Sequence, residues 1–214
     1  MSRGRAVLFD YGGVLTRPIA ASFAAFEREH GIDPGRSFEL LVAASRSGGG
    51  GPIGALERGE MTVERFDLDL RAMLEDAGYD PPPEGSMIDG LFAGMTPEGR
   101  LWDVAARARA AGVATGLLSN SWGIDMYPWD RIDAHFDIAV VSGQVGLRKP
   151  DPAIYELALE RIGVRAEDCA FVDDLERNVE VARRLGMYGV HHVGDDVATA
   201  GALTEFLEVD LALG

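Results

Sequence analysis

The stretch LFDYGGVLT, residues 8–16, decides the fold that the sequence predicts. A short apolar run, residues 6–9, ends at Asp10 and is followed by Gly12 and Gly13, a pattern typical of a buried strand that runs into a turn. Apolar runs that end in polar residues recur further along the chain. We therefore interpret this stretch as the first strand of a sheet whose strand ends carry the chemistry.

Apolar strands and helices alternate from residue 96 onward. Strand-like runs lie at 112–120, 137–143, 169–174 and 188–194, and helices are predicted from an N-cap at Thr96, from Pro152 to Ile162 and before Gly186. Strands that alternate with helices favour a parallel sheet with helices on both faces. The predicted fold class is therefore α/β, with a Rossmann-like three-layer core.

Residues 17–94 differ in kind from the rest of the chain. They show helical spacing of apolar residues, at Val63, Phe66, Leu70, Met73 and Ala77, but no strand-like run. We predict that this block is a helical domain inserted into a core that consists of residues 1–16 and 95–214.

Composition narrows the possible functions. The formal net charge of -15 argues against nucleic acid and anionic membranes as partners, because both require a basic surface. Cys169 is the only cysteine, and the chain opens without an apolar stretch long enough for a signal peptide or a membrane span. We therefore expect a cytoplasmic protein; the sequence gives no indication of its oligomeric state.

Four polar groups follow apolar runs or turns in the predicted sheet. They are Asp10 with Gly12 and Gly13, Ser119 with Asn120, Lys149, and Asp173 with Asp174. In a parallel sheet, ligands bind at the carboxyl ends of the strands, so these groups are expected to meet. Three carboxylates brought together would repel one another unless a hard cation such as Mg²⁺ binds them. Each group alone also has a structural explanation as turn or helix-capping chemistry.

Lys149 is the only lysine in a chain whose 20 basic residues are otherwise arginines. A compact ammonium suits a single phosphate or carboxylate oxygen where a planar guanidinium would not fit. This preference indicates a binding role for Lys149, with a surface lysine before a proline turn as the alternative.

These segments together resemble the haloacid dehalogenase-like hydrolase superfamily. LFDYGGVLT is similar to its first motif, LLSN to its second, the lysine of GLRKPDPAIY to its third, and FVDDLERN to its fourth. The insert resembles the helical cap of this superfamily, and ALERGEMTVERF is similar to caps of the epoxide-hydrolase-associated phosphatase branch.

The resemblance implies a role for each strand-end group. Asp10 would be the nucleophile that forms an aspartyl phosphate, and Ser119 and Lys149 would assist catalysis. Mg²⁺ would be held by Asp10, the Gly12 carbonyl, Asp173 and Asp174. The transferring phosphoryl group of a small phosphorylated metabolite would contact the turn residues and the polar groups Gly12, Gly13, Val14, Ser119, Asn120 and Lys149.

Gly12 departs from the pattern of the family's phosphatases, in which a second aspartate at this position acts as general acid and base. Three explanations stay open: a substrate whose leaving group needs no proton, an acid supplied by the cap, or a site that binds phosphate without turnover. We therefore expect weak activity on simple phosphate esters, with a degenerate phosphate- or metabolite-binding protein as the alternative. A haloacid dehalogenase is a further alternative, which Asp173 and Asp174 argue against.

Overall fold

The computed structural model describes residues 4–45, 50–82 and 87–213. One parallel sheet contains the strands β1 (Ala6–Phe9), β2 (Ala114–Ser119), β3 (Ile138–Val141), β4 (Cys169–Asp173) and β5 (Tyr188–His191). Their order across the sheet is β3-β2-β1-β4-β5, so β1 is central. Phe9 lies opposite Leu117 on one side and Val172 on the other, which brings the carboxyl ends of β2, β1 and β4 to one edge.

Helices cover both faces of this sheet because the strand side chains alternate between them. Val7 and Phe9 face a cluster formed with α6 (Leu101–Ala110), α7 (Trp129–His135) and α11 (Asp196–Leu207). The opposite face of β1 packs against α9 (Pro152–Ile162) and α10 (Glu176–Arg184), and α8 (Ser142–Val145) follows β3 directly. The predicted α/β class with a Rossmann-like three-layer core is confirmed.

Helices fill the described part of the chain between β1 and β2. They are α1 (Ile19–Glu29), α2 (Arg36–Ser45), α3 (Gly51–Glu57), α4 (Val63–Asp76) and α5 (Met87–Phe92), followed by α6. These five helices share a hydrophobic cluster of their own, which includes Phe23, Phe66 and Leu70. The helical content of the insert agrees with the sequence pattern, and the domain boundaries at residues 16 and 95 stay a prediction. No helix in the described ranges is long and apolar enough to cross a bilayer.

Two helix starts differ from the sequence prediction. α6 begins at Leu101 rather than after Thr96, because Gly99 has a φ of 127° that a helix does not contain. The Glu98 N–H donates to the Thr96 carbonyl (2.8 Å) in the turn that precedes it. The helix-capping explanation for Asp173 and Asp174 would place both at the start of the next helix, but Asp173 ends β4, and α10 begins only at Glu176.

Candidate active site

Three carboxylates meet at the edge of the sheet. Asp10 follows β1 and Asp173 ends β4, and the Asp10 N–H donates to the Val172 carbonyl (2.9 Å), which continues the pairing of the two strands. One carboxylate oxygen from each of Asp10, Asp173 and Asp174 lies within 4.8 Å of the others. The structure therefore brings together the acidic residues that the sequence predicted as metal ligands.

Lys149 lies between two of these carboxylates. Its Nζ is 2.8 Å from Asp10 Oδ1 and 2.7 Å from Asp173 Oδ2, and it also donates to the Leu118 carbonyl (3.0 Å). The side chain is 1% exposed. All three ammonium protons thus have acceptors, and the buried positive charge balances part of the negative charge at the sheet edge.

The pKa values of the acidic groups reflect burial and mutual repulsion. Burial raises the pKa of Asp10 well above its usual range; Asp173 and Asp174 raise it further, and Lys149 opposes the rise. Burial and the neighbouring Asp173 raise the pKa of Asp174 to about 6. A divalent cation would offset this repulsion, so the donor set fits a hard metal ion such as Mg²⁺.

Asp173 is the most firmly held of the three. Its Oδ1 accepts hydrogen bonds from the Leu175 N–H (2.8 Å) and from Asn178 Nδ2 (2.9 Å), in addition to the Lys149 contact on Oδ2. We assigned no role to Asn178 from the sequence. The sequence does contain a signal for this hydrogen-bond donor to Asp173: Asn178 is a polar residue five positions after the aspartate, in the first turn of the next helix.

Ser119 ends β2, and its hydroxyl lies at the same edge as Asp10. Ser119 Oγ is 2.9 Å from the hydroxyl of Tyr127, a buried side chain that packs on Tyr11 with ring centroids 4.8 Å apart. In the sequence, Tyr127 belongs to an aromatic segment after LLSN, which predicts either a pocket wall or core packing. The structure gives its hydroxyl a direct contact with a predicted phosphate-binding group, which only the three-dimensional arrangement reveals.

Asn120, which was predicted to contact phosphate, forms a reciprocal pair with the backbone of Lys149. The Lys149 N–H donates to Asn120 Oδ1 (2.8 Å), and Asn120 Nδ2 donates to the Lys149 carbonyl (3.1 Å). Both ends of the amide are therefore used to hold the lysine loop against β2. This geometry favours positioning of Lys149 over direct contact with phosphate.

The turn after Asp10 supplies fewer free N–H groups than the sequence suggested. The Gly13 N–H donates to Thr16 Oγ1 (3.1 Å), and the Val14 N–H points to the Tyr11 carbonyl (3.4 Å). Within the described ranges, the Gly12 N–H has no hydrogen-bond partner. Among the three turn residues predicted to contact the phosphoryl group, Gly12, Gly13 and Val14, only Gly12 thus has an N–H that is available for a ligand.

Gly13 requires glycine for two reasons. Its φ is 71°, in the left-handed region, and a Cβ at this position would lie only 2.8 Å from Asp174 Cγ. Gly12 has neither the positive φ nor a neighbouring carboxylate. A Cβ there would meet Ile19 Cδ1 at 3.2 Å and Met95 Cε at 3.5 Å, both methyl groups of side chains that pack against the hydrophobic cluster of the insert.

A cavity of about 880 Å³ extends from Asp10 to the helices of the insert. At its polar end, the Glu57 carboxylate from α3 lies 2.6 Å from Arg148 Nε and within 3.4 Å of Asn120 Nδ2. Burial raises the pKa of Glu57, and Arg148 opposes the rise. Glu57 is therefore a buried contact between the insert and the core that sequence reasoning missed.

Proteins with related sequences include an epoxide hydrolase and two phosphatases. Bifunctional epoxide hydrolase 2 of Sus scrofa is 29% identical over 199 residues, which cover 86% of this chain and 35% of the relative. The sesquiterpene phosphatase astK of Aspergillus oryzae is 32% identical over 134 residues, 58% of this chain and 66% of the relative. The phosphoserine phosphatase of Thermus thermophilus is 33% identical over 132 residues, 56% of this chain and 51% of the relative. The chain thus spans about a third of the epoxide hydrolase.

Solved structures share the fold. A HAD family enzyme from Bacteroides thetaiotaomicron, in complex with magnesium and inorganic phosphate, superposes with a TM-score of 0.66 at 20% identity, over 91% of this chain and 98% of that one. A dehalogenase superposes with a TM-score of 0.65 at 19% identity, over 91% and 88% of the two chains. Residues 5–186 match the family model for haloacid dehalogenase-like hydrolases. This chain therefore belongs to the haloacid dehalogenase-like hydrolase family, as its four motifs indicated.

Proposed function

We propose that this protein is a magnesium-dependent phosphohydrolase that acts on a phosphorylated small molecule through a phosphoryl group carried on Asp10. The observation that carries the proposal is the convergence of Asp10, Asp173 and Asp174 on one point beside Lys149. The phosphatase names of two relatives support it. We further propose that residues 17–94 form the cap over this site, and that the protein is cytoplasmic, since its one cysteine forms no internal disulfide.

The proposed reaction has two steps. A carboxylate oxygen of Asp10 attacks phosphorus and the bond to the substrate oxygen breaks; water then cleaves the resulting acyl phosphate. Lys149 would exchange one of its three acceptors for a phosphoryl oxygen, while the Ser119 hydroxyl and the Gly12 N–H donate to the others. Mg²⁺, held by Asp10, Asp173, Asp174 and the Gly12 carbonyl, would neutralise charge on the phosphoryl oxygens.

Gly12 limits the range of substrates in this proposal. No side chain stands at position 12 to protonate a leaving alcohol, and the loss of a positioned acid typically lowers a rate by on the order of 10² to 10⁴. We therefore expect slow hydrolysis of simple alkyl phosphates.

The test is release of inorganic phosphate from a chromogenic aryl phosphate, whose phenolate leaving group needs little protonation. We expect release that requires Mg²⁺ and that Asp10→Asn abolishes, whereas Asp133→Asn, at an exposed position on α7, retains it. Release that continues in Asp10→Asn, or that is unaffected by chelation of Mg²⁺, would contradict the proposal. Release of halide from a 2-halo acid without Mg²⁺ would favour the dehalogenase alternative.

The hydrocarbon beside Gly12 favours a second candidate, a phosphate-binding protein without turnover. In that case the wild type binds inorganic phosphate but releases none from any substrate, and Gly12→Asp combined with Ile19→Ala gains activity. Ile19→Ala is included because Ile19 Cδ1 lies 3.2 Å from the position of a Cβ on residue 12. The double variant is compared with Gly12→Ala and Ile19→Ala, which add no acid.

A further inference from the structure

Hydrocarbon lies directly beside Gly12, two residues after the nucleophile. The side chains nearest to a Cβ on Gly12 are those of Ile19 and Met95, and neither has a proton to donate. The position at which a general acid is missing is therefore not an open polar space that water or a substrate group fills by default. It is the first part of an apolar wall.

The wall continues through most of the cavity. Its larger apolar members are Ile19, Phe23, Leu41, Phe92, Trp122 and Met126, which come from the insert and from the loop after β2. The cavity volume of about 880 Å³ is near the upper end of the range of roughly 300–1,000 Å³ typical of small-molecule sites. A phosphoryl group at Asp10 would fill only the polar end of this space.

The two acidic insert residues on the wall already have partners. Glu27 accepts hydrogen bonds from the Gly35 N–H (2.7 Å) and the Ser37 N–H (2.9 Å), and Glu57 lies 2.6 Å from Arg148 Nε. A polar substrate body placed against the apolar side chains of this wall would lose hydrogen bonds to water, and hydrocarbon would not replace them. An apolar body would instead gain from burial, by about fourfold in affinity for each methylene group.

The missing acid constrains the other side of the scissile bond. When Asp10 attacks phosphorus, the electron pair of the breaking P–O bond goes to the leaving oxygen. A carboxylate, whose acid has a pKa of about 4, and a phosphate monoester, whose second pKa is about 6, can both leave as anions without being protonated. An alkoxide cannot. The aspartyl phosphate formed next has a carboxylate leaving group itself, and both protons of the attacking water leave with inorganic phosphate.

We propose that the site is built for a phosphoanhydride with a bulky apolar body, either an acyl phosphate or the diphosphate of an apolar alcohol. This inference rests on the proposed function and adds the substrate class to it. The apolar wall and the absence of an acidic side chain at position 12 are separate observations. They agree, because a substrate of this class has an apolar body that packs against hydrocarbon and a leaving oxygen that needs no proton.

Four compounds separate the two parts of the inference: decanoyl phosphate, decyl diphosphate, decyl phosphate and acetyl phosphate. Decyl phosphate keeps the apolar chain without the anhydride, and acetyl phosphate keeps the anhydride without the chain. We expect kcat/KM for decanoyl phosphate or decyl diphosphate to exceed that for each of the two reference compounds by at least about 10²-fold. Release in Asp10→Asn is subtracted as the spontaneous background, and the better of the two anhydrides identifies the source.

Paired alanines on α1 test the cavity itself. Both alanines are exposed, but Ala24 lines the cavity and Ala25 does not. Ala24→Phe should lower the ratio of kcat/KM for the decyl anhydride to that for acetyl phosphate by at least about tenfold, and Ala25→Phe should leave the ratio unchanged. As a measurement independent of turnover, calorimetry should show tighter binding of decylphosphonate than of methylphosphonate, and Ala24→Phe should remove the difference.

Two results would overturn the inference and leave the proposed function standing. One is equal or faster turnover of acetyl phosphate than of the decyl anhydrides, and the other is turnover of decyl phosphate as fast as that of the anhydrides. Failure of every compound, the aryl phosphate included, would instead contradict the proposed function.

Discussion

The two ends of the cavity are held in place by different forces. At the polar end, the Asp173 carboxylate accepts hydrogen bonds from the Leu175 N–H, Asn178 and Lys149, so each oxygen has a fixed direction. At the apolar end, Phe23 and Phe92 meet edge to face with ring centroids 5.6 Å apart, and packing alone orders them.

This difference separates chemistry from specificity. Hydrogen bonds fix the positions of the carboxylates. Removal of one partner leaves a buried charge without compensation, which destabilises the folded protein. Contacts between apolar side chains instead set the volume of the cavity, and they tolerate substitution by other apolar residues of similar size. Gly12 lies at the border, with Asp10 on one side and Ile19 on the other. Substitutions at the polar end should therefore have large, specific effects.

The largest effect is expected from Lys149→Met. The substitution leaves Asp10 and Asp173 buried without their shared cation, which costs about 3–5 kcal/mol of unfolding free energy and abolishes phosphate release. Urea denaturation measures the loss, with Arg161→Met on the exposed face of α9 as the control. A variant as stable as the wild type would show that the lysine does not balance these carboxylates.

The next effect concerns pH and Mg²⁺ at Asp174. Because its pKa is raised to about 6, the folded state binds this proton more tightly than the unfolded chain does. The resulting stability is present at acid pH and is lost as the pH rises through about 6. With a chelator present to remove Mg²⁺, the unfolding free energy of the wild type should fall by about 2–3 kcal/mol between pH 4 and pH 7.5, relative to that of Asp174→Asn.

Mg²⁺ should restore that stability in the wild type at pH 7.5 and have little effect on Asp174→Asn. Thermal unfolding with and without Mg²⁺ at the two pH values provides the comparison. If Mg²⁺ stabilised both proteins equally, or stabilised the wild type more at pH 4, then the carboxylate cluster would not be the metal site.

Much of this arrangement follows from local sequence. The strand ends at Asp10, Ser119 and Asp173 are predictable because apolar runs mark the strands and parallel pairing aligns their carboxyl ends. The contacts of Tyr127 and Glu57 are not predictable in this way, since they depend on how a loop and an inserted helix fold back over the sheet.

The turn after β1 shows the same limit at closer range. The sequence indicates a turn, but it does not reveal that the Gly13 N–H donates to Thr16. Nor does it reveal that Lys149 has an acceptor for each of its protons. Hydrogen-bond partners of this kind depend on distances of a few tenths of an ångström, which residue types do not specify.

A smaller effect distinguishes the two adjacent glycines. Gly13→Ala places a methyl group against Asp174 at a positive φ, which costs about 1–3 kcal/mol and displaces the carboxylate, so activity should fall sharply. Gly12→Ala meets only the movable ends of the Ile19 and Met95 side chains, so stability should change by less than about 1 kcal/mol. Denaturation and Mg²⁺-dependent turnover of the two variants measure this contrast, and similar losses in both would contradict it.

The smallest effect is expected from Tyr127→Phe. The variant keeps the ring packing on Tyr11 and removes the hydroxyl that lies 2.9 Å from Ser119 Oγ. One hydrogen bond of this kind contributes about 0.5–1.5 kcal/mol, so kcat/KM should fall by about two- to tenfold with little change in stability. Unchanged kinetics would assign Tyr127 to core packing alone.

In the proposed reaction, the Asp10 carboxylate accepts the phosphoryl group of the substrate and forms an aspartyl phosphate. Acid quench of the protein during turnover of an anhydride substrate with Mg²⁺, followed by peptide mass spectrometry, tests it most directly. We predict one phosphoryl group on the peptide that contains Asp10, formed and lost at rates consistent with turnover. Sustained phosphate release with no modification of that peptide, or with the phosphoryl group on another residue, would contradict the account.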